Sequence, residues 1–443
     1  MALLSAVGYA FYRHFLAPTH ILVVNALEAQ QADLVLNNDS RHIDITCVDA
    51  EQMGSLRGYD AIVVYARRLF LTDEQTAALR QAAARGVPIF TKSLRSSPFV
   101  ESHNLTAAQI DTLQLYLDNN TQHNYRNALR YLRHIATPQR WGDQQAAPPM
   151  VMPRNLYYHR RYGQYFSSDS LLTAYLRRSG LYNEPTAHPT ANDTLPFTVN
   201  GQRVALISGI TFPTEGNRQH IDTLITLLTR RGFNVYPLCA SGKHRATMLR
   251  QLRPDAIVYL PMGRIGNDTL TTWLQQHNIP IFSPYPISTP HEKWMVQGLP
   301  LSSGTKNARI VIPEIDGAIA PYCIATQRSD AQGFYRHVAE VERCVALADH
   351  IARYLSLRTK ANSEKRIAIG YFRRPGHDAL LASGMEVIPS LYNFLLRLRN
   401  EGYNVDGLPA TLSLFVTIPN KTYFETARIS LPLQSQIVLL CLV

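Results

Sequence analysis

The sequence predicts an α/β protein of several domains, built on flavodoxin-like or Rossmann-like parallel sheets with flanking helices. Three observations predict it. Short β-branched runs alternate with amphipathic stretches of helical spacing. Glycines stand where those helices should end, and a new apolar run follows at once. The chain has 443 residues, 46% of them hydrophobic and 17% charged, enough for more than one core.

The first apolar stretch, "ALLSAVGYAFY" at 2–12, is uncharged, carries three aromatics and is followed by Arg13 and His14. It is shorter than the roughly 20 residues a spanning helix needs. No basic leader or small-residue cleavage site accompanies it. Two readings stay open: a membrane anchor, giving a membrane-associated protein of the inner-membrane type, or an apolar first helix packed on its domain, compatible with a cytoplasmic one.

After Pro18 the α/β pattern begins. "HILVVNAL" (20–27), "HIDITCVDA" (42–50) and "YDAIVVYA" (59–66) read as strands. "TDEQTAALRQAAARG" has a Thr-Asp start, helical spacing and a stop at Gly86, before the strand "VPIFTK". No GxGxxG opens this unit, so a dinucleotide site is not indicated. Residues 105–136 are helical in pattern. Residues 138–202 read as an irregular linker rich in Tyr and Pro. Within it "NLYYHRRYGQYF" interleaves four tyrosines with two arginines and a histidine. Such mixing can grip a planar anionic ring, and it also fits a plain surface loop.

A second unit starts at Arg203 with the strand "RVALISGI". A loop, a helix closed at Gly232, the strand "FNVYPL" and the alternating segments "RPDAIVYLPMG", "NDTLTTWLQQHN" and "IPIFSPY" follow. In such sheets ligands sit at the carboxyl ends of the strands, which places Glu215 and His220 near a mouth. His220 is expected on the surface of its helix. "GFYRHVAEVERCVALADHIARYLSLRTK" reads as one long amphipathic helix leading into "RIAIGYFRRPGHD". "LLTRRGFNVYPL" and "LLRLRNEGYNVDGLP" share a helix–Gly–strand pattern, which points to two similar α/β units. The expected division is a hydrophobic segment 1–19, a first α/β domain 20–137, the irregular region 138–202, a second α/β domain 203–330, a connecting helix 331–362, the start of a third α/β domain 363–411, and an atypical tail 412–443.

Net charge is +11, with a pI near 9.4, which favours anionic partners. The basic residues are dispersed, with no run of five, so nucleic acid is not expected as a partner. Cysteines 47, 239, 323, 344 and 441 form no CxxC pair and read as buried or incidental thiols.

The series "VIPEIDGAIAPYCIAT", "LSLRTKANSEKRIAIGYF" and "SGMEVIPSLYNFLLRLRNEGYNVDGLPAT", preceded by "SGITFPTEGNRQHIDTLITLLTRRGFNVYPL", resembles the large subunit of the tetrapyrrole metal chelatases. That family includes the cobaltochelatase subunit CobN and the magnesium-chelatase H subunit. The likeness runs from about Arg203 to Thr411 and is weaker before it. Within the family the chain looks most similar to the membrane-anchored haem-utilisation branch, HmuS, because of its apolar N-terminus and the stretch "PGHDALLASGMEVIPSLYNFL". The resemblance implies handling of a tetrapyrrole (a porphyrin, haem or corrinoid precursor) and its divalent metal, by cobalt or magnesium insertion or by haem iron removal. It also implies ATP hydrolysis by separate partner subunits. The chain fits that division, having no GxxxxGK[ST] loop; "SGKH" at 241–244 lacks both flanks. Family members are much longer. The last 32 residues have only Lys421, Glu425 and Arg428 as charges and no glycine, which reads as a truncated or frame-shifted product or as a second membrane-associated tail. On the first of these readings much of the metal-exchanging core expected from the family is missing.

Site candidates follow from what a tetrapyrrole needs. Arginine forks suit its carboxylates, so Arg373 and Arg374 are candidates, with Tyr157 and Arg160 from the aromatic stretch. Metal transfer needs a base and a ligand, for which His377 oriented by Asp378 is the candidate pair. Glu314, Asp316, Glu215 and His220 are secondary candidates, and the metal's ligands are left unassigned. Each has a plain account too: a solvated loop for the arginines, a polar turn after Pro-Gly for His377 and Asp378, turn or cap positions for Glu314 and Asp316. Two other function classes compete. A non-catalytic tetrapyrrole carrier is one. A periplasmic-binding-type sensor is the other, and it leaves the "PEIDGA" series unexplained.

Overall fold

The computed structural model describes residues 2–66, 69–92, 101–159, 164–181, 198, 200–208, 217–297, 301–329, 333, 335–373, 385–417, 425–430 and 436–441. The chain divides into two units, 1–350 and 351–443. It is an α/β fold in which parallel sheets are flanked by helices.

The first sheet takes β1 (Thr19–Val24), β2 (Ile43–Val48), β3 (Ala61–Tyr65) and β4 (Ile89–Lys92) in the order β2-β1-β3-β4, all parallel. The period-2 alternation of its strands sorts side chains to two faces. Ile21, Val23, Val63 and Phe90 meet the helices Ala107–Asp118 and Gln122–Ala136 through Leu113, Tyr116, Tyr125 and Leu129. Leu22, Val24, Ile62 and Ile89 meet the helix Asp73–Ala84 through Leu79 and Ala82. Thr72 caps that helix in a capping box with Gln75, and Gly86 follows its end at φ 86°. Arg133 is fully buried beside this sheet. It donates to the Gly142, His42 and Trp141 carbonyls and to Thr19 Oγ1, at 2.6–2.8 Å.

The second sheet has seven strands. Residues read as an irregular linker supply its antiparallel edge, β5 (Asn155–Tyr158) and β6 (Tyr165–Phe166), and the helix Asp169–Leu181. These strands are too short for a legible alternation, and only pairing with the next domain's sheet defines them. The centre is parallel: β7 (Arg203–Ile207), β8 (Asn234–Ala240), β9 (Ala256–Tyr259), β10 (Ile281–Phe282) and, after β11 (Tyr285–Pro290) has left for another sheet, β12 (Ala318–Ile319). The order is β12-β10-β9-β7-β8-β5-β6.

β11 pairs with β13 (Cys323–Ser329), which pairs antiparallel with β14 (Tyr335–Ala339). The segment read as one long helix therefore begins as a strand. "YRHVA" pairs residue by residue with 325–329, and the helix is confined to Val341–Ser356. Arg343 ties this helix to the sheet: its guanidinium lies 3.9 Å from the Tyr322 ring centroid and 5.4 Å from that of Trp294, and Nε donates to the Cys323 carbonyl at 2.6 Å.

In the second unit, β15 (Ala368–Arg373) pairs antiparallel with β17 (Gln436–Cys441), which pairs with β16 (Glu425–Ser430). The helix Val387–Asn400 buries Leu391, Tyr392, Leu395 and Leu398 with Phe415. The 412–443 segment thus contributes a helix, Leu412–Thr417, and two strands.

Candidate functional site

In the second sheet the chain winds one way from β7 to β8, then crosses back to β9 on the other side of β7. A crevice forms at such a reversal, outside the carboxyl ends of the two strands, because the connections leave in opposite directions. Three polar side chains come together at this end. His220 lies in the first turn of the helix Gln219–Arg230, which follows β7. Arg309 comes from the helical turn Asn307–Val311. It donates through NH1 to the Pro261 carbonyl at 2.7 Å, just beyond β9, while Gly263 N donates to the Ala308 carbonyl at 2.9 Å. His337 comes from β14, which is fastened to the same helix start by the Ala339 N–H donating to Gln219 Oε1 at 2.5 Å. The two imidazoles stand 5.9 Å apart by centroid, tilted 55°.

Burial dominates the electrostatics. His220 is 1% exposed, and burial, with help from His337 and Arg309, lowers its pKa to about 3. Burial and Arg309 lower that of His337 to about 4. Arg309 is also pulled down by burial, opposed only by Tyr259. At neutral pH both imidazoles are uncharged, so each carries one N–H donor and one acceptor nitrogen. Among the described residues neither ring nitrogen of His220 has a hydrogen-bond partner, nor does Nδ1 of His337. His337 Nε2 has only a long 3.5 Å approach to Ser288 Oγ. A buried polar group left without a partner costs about 1–3 kcal/mol. Three such nitrogens therefore stand in a buried position that the charge of partly buried Arg309 also reaches.

Of the residues singled out from sequence that are described, His220 alone falls in this cluster, and it is buried, not on its helix's surface as expected. The helix start is covered by β14, a strand the sequence reading did not foresee. Tyr157, 2% exposed, packs edge-on against Tyr236 in the sheet core, so its ring faces other side chains. Asp316 is buried and accepts from Arg264 Nε at 2.8 Å and from Ile265 N at 2.7 Å, which fastens the turn before β12 to the loop after β9. Glu314 is exposed on the short helix Ile312–Ile315. Arg373 ends β15, in the other unit. Arg160, Glu215, Arg374, His377 and Asp378 lie outside the described residues. Among the described residues no group of three or more His, Cys, Asp or Glu is placed to hold a metal ion. His337 and Arg309 were not legible as site residues. One sat in a stretch of helical spacing, the other in a run with no pattern.

The fold as a whole is of a known class. It is similar to the catalytic subunit of cobaltochelatase from Mycobacterium tuberculosis, with a TM-score of 0.59 and 19% identity over 90% of this chain and 32% of that one. Residues 114–428 match the CobN/Magnesium Chelatase family model, and the chain belongs to that family. The aerobic cobaltochelatase subunit CobN of Pseudomonas aeruginosa is 22% identical over 355 residues, 76% of this chain and 26% of that protein. The chloroplastic magnesium-chelatase subunit ChlH of Oryza sativa is 24% identical over 220 residues, 45% of this chain and 16% of that protein. The chain thus spans between about a sixth and a third of the length of these relatives.

Proposed function

We propose that this chain holds a tetrapyrrole for metal insertion, as part of a chelatase large subunit whose ATP hydrolysis is supplied by separate subunits. The observation that carries the reading is the family match over 114–428, which takes in the seven-stranded sheet, its switch point and the β11–β13–β14 sheet. The metal is a divalent cargo ion, cobalt or magnesium by analogy with the two named relatives. In this reading the neutral imidazoles of His220 and His337 and the Arg309 guanidinium serve the ring's periphery.

Titration of the purified chain with a metal-free porphyrin, followed by the Soret band and by quenching of Trp141, Trp273 and Trp294, tests this. Saturable one-site binding at micromolar concentration is expected. Absence of binding up to the porphyrin's solubility limit would sink the reading. Adding ATPase subunits and a divalent metal then separates a holding role from a complete insertion reaction.

The apolar start of the chain supports a second element of the reading, contact with a membrane surface. The helix Ala2–Phe11 leaves Val7, Tyr9 and Phe11 exposed, and Phe11 and Phe15 lean on Trp141 at 5.9 and 5.5 Å between centroids. Among the described residues no helix is long and apolar enough to cross a membrane.

A further inference from the structure

We propose that Arg309, His220 and His337 form a subsite that takes one carboxylate side chain of a tetrapyrrole. The inference rests on the function proposed above and adds to it a place and a polarity.

Arg309 is the first ground. Arg309 is partly buried, and a guanidinium drawn partly out of water is commonly paired with an anion, since burying charge without one is costly. Among the described residues Arg309 has no ion pair, and its one hydrogen bond, to the Pro261 carbonyl, leaves most of its fork unused. The second ground is the pair of imidazoles. Their partnerless nitrogens are buried beside that guanidinium and supply N–H donors that a carboxylate oxygen would accept. The third is the position of His220 in the first turn of a 12-residue helix, where the backbone dipole favours negative charge. All three agree on the sign of the missing partner.

The same grounds argue against the cargo metal at this point. Two imidazoles could bind a cation, but the charge of Arg309 acts against it on both, and among the described residues no group of three or more His, Cys, Asp or Glu is placed to hold an ion. They also favour a carboxylate over a phosphate. One guanidinium and neutral donors balance a monoanion, whereas a phosphate near pH 7 carries up to two charges.

The test compares deuteroporphyrin IX, which has two propionates, with its dimethyl ester, on the whole chain and on its Arg309→Gln and His220→Phe variants. The expected result is that Arg309→Gln weakens the acid form by about 10- to 100-fold, the loss of a charge-assisted hydrogen bond, and leaves the ester unchanged. Circular dichroism melts confirm folding. The unsubstituted chain supplies an independent reading: in ¹⁵N-histidine spectra the imidazole signals of His220 and His337 should move with the acid and stay with the ester. Equal binding of acid and ester by both the unsubstituted chain and the variants, with still histidine signals, would overturn the subsite and leave the tetrapyrrole reading standing. Failure of the unsubstituted chain to bind either porphyrin would overturn both. Movement of the same signals with inorganic phosphate alone, at lower concentration than with the porphyrin acid, would reassign the cluster and overturn the carboxylate inference.

Discussion

His220 and His337 face each other at 5.9 Å across the junction of a parallel sheet's central helix and a strand of a different sheet, with Arg309 acting electrostatically on both. Their placement puts partnerless polar nitrogens at a joint between two layers.

The first expectation concerns acid. Both histidines titrate lower in the folded chain, about 3 and 4, than the ordinary 6.5 they regain on unfolding. Between those values the unfolded chain binds more protons, so stability rises with pH there. Their contribution is therefore constant above about pH 7 and turns against the fold as pH falls through 6.5 toward 4 and 3. Urea midpoints at pH 7.5 and 5.0 should differ more for the unsubstituted chain than for His220→Phe or His337→Phe. An identical pH difference in all three would refute the assignment.

Arg133 should be needed for the first sheet to stay closed. It satisfies four acceptors from three separate segments, and no lysine can reach them all. Arg133→Met should cost about 3 kcal/mol or more, since buried carbonyls lose their partners, and Arg133→Lys should recover only part of it. Denaturant unfolding followed by far-ultraviolet circular dichroism measures both.

Asp316 should behave as a fastening and not as a reacting group. Asp316→Ala leaves Arg264 with Asp268 alone and frees the Ile265 N–H, and should lower stability by about 2 kcal/mol while porphyrin affinity of the folded chain stays within twofold. A large loss of affinity at unchanged stability would show the opposite role.

Arg343 tests the stacking on the β13 side. Arg343→Lys keeps the charge but loses the planar face against Tyr322 and the bond to the Cys323 carbonyl, and about 1–2 kcal/mol should be lost. A melting temperature unchanged from the unsubstituted chain would count against that contact.

The N-terminal helix can be tested with vesicles. Trp141, 58% exposed next to Phe11 and Phe15, should shift its emission to the blue when anionic vesicles are added, and removal of residues 1–17 should abolish co-sedimentation. Equal sedimentation of the two chains would reject membrane contact through this segment.

Much of the fold was legible before any coordinates. The strands from His20 to Lys92 and from Arg203 to Phe282 announced themselves by β-branched runs, and the helix at Asp73–Ala84 by its Thr72 cap and Gly86 stop. The edge strands at Tyr157 and Tyr165 did not, because two to four residues hold no period. The strand at Tyr335–Ala339 was hidden by the helical spacing of the residues after it. Of the cluster at the sheet's reversal only His220 was named, and it was placed on the wrong side of its helix.

By itself, the sequence determined the α/β class and the alternation of layers, because local periodicity, caps and turns are written over a few neighbouring residues, and its series of stretches from Arg203 to Thr411 carried the family resemblance. Only the tertiary structure decided what meets at the mouth of β7 and β9. His220, Arg309 and His337 are far apart in the chain and share no motif. They come together because the winding reverses at β7 and because β14 folds over the helix start, and both are consequences of long-range pairing that no local pattern records.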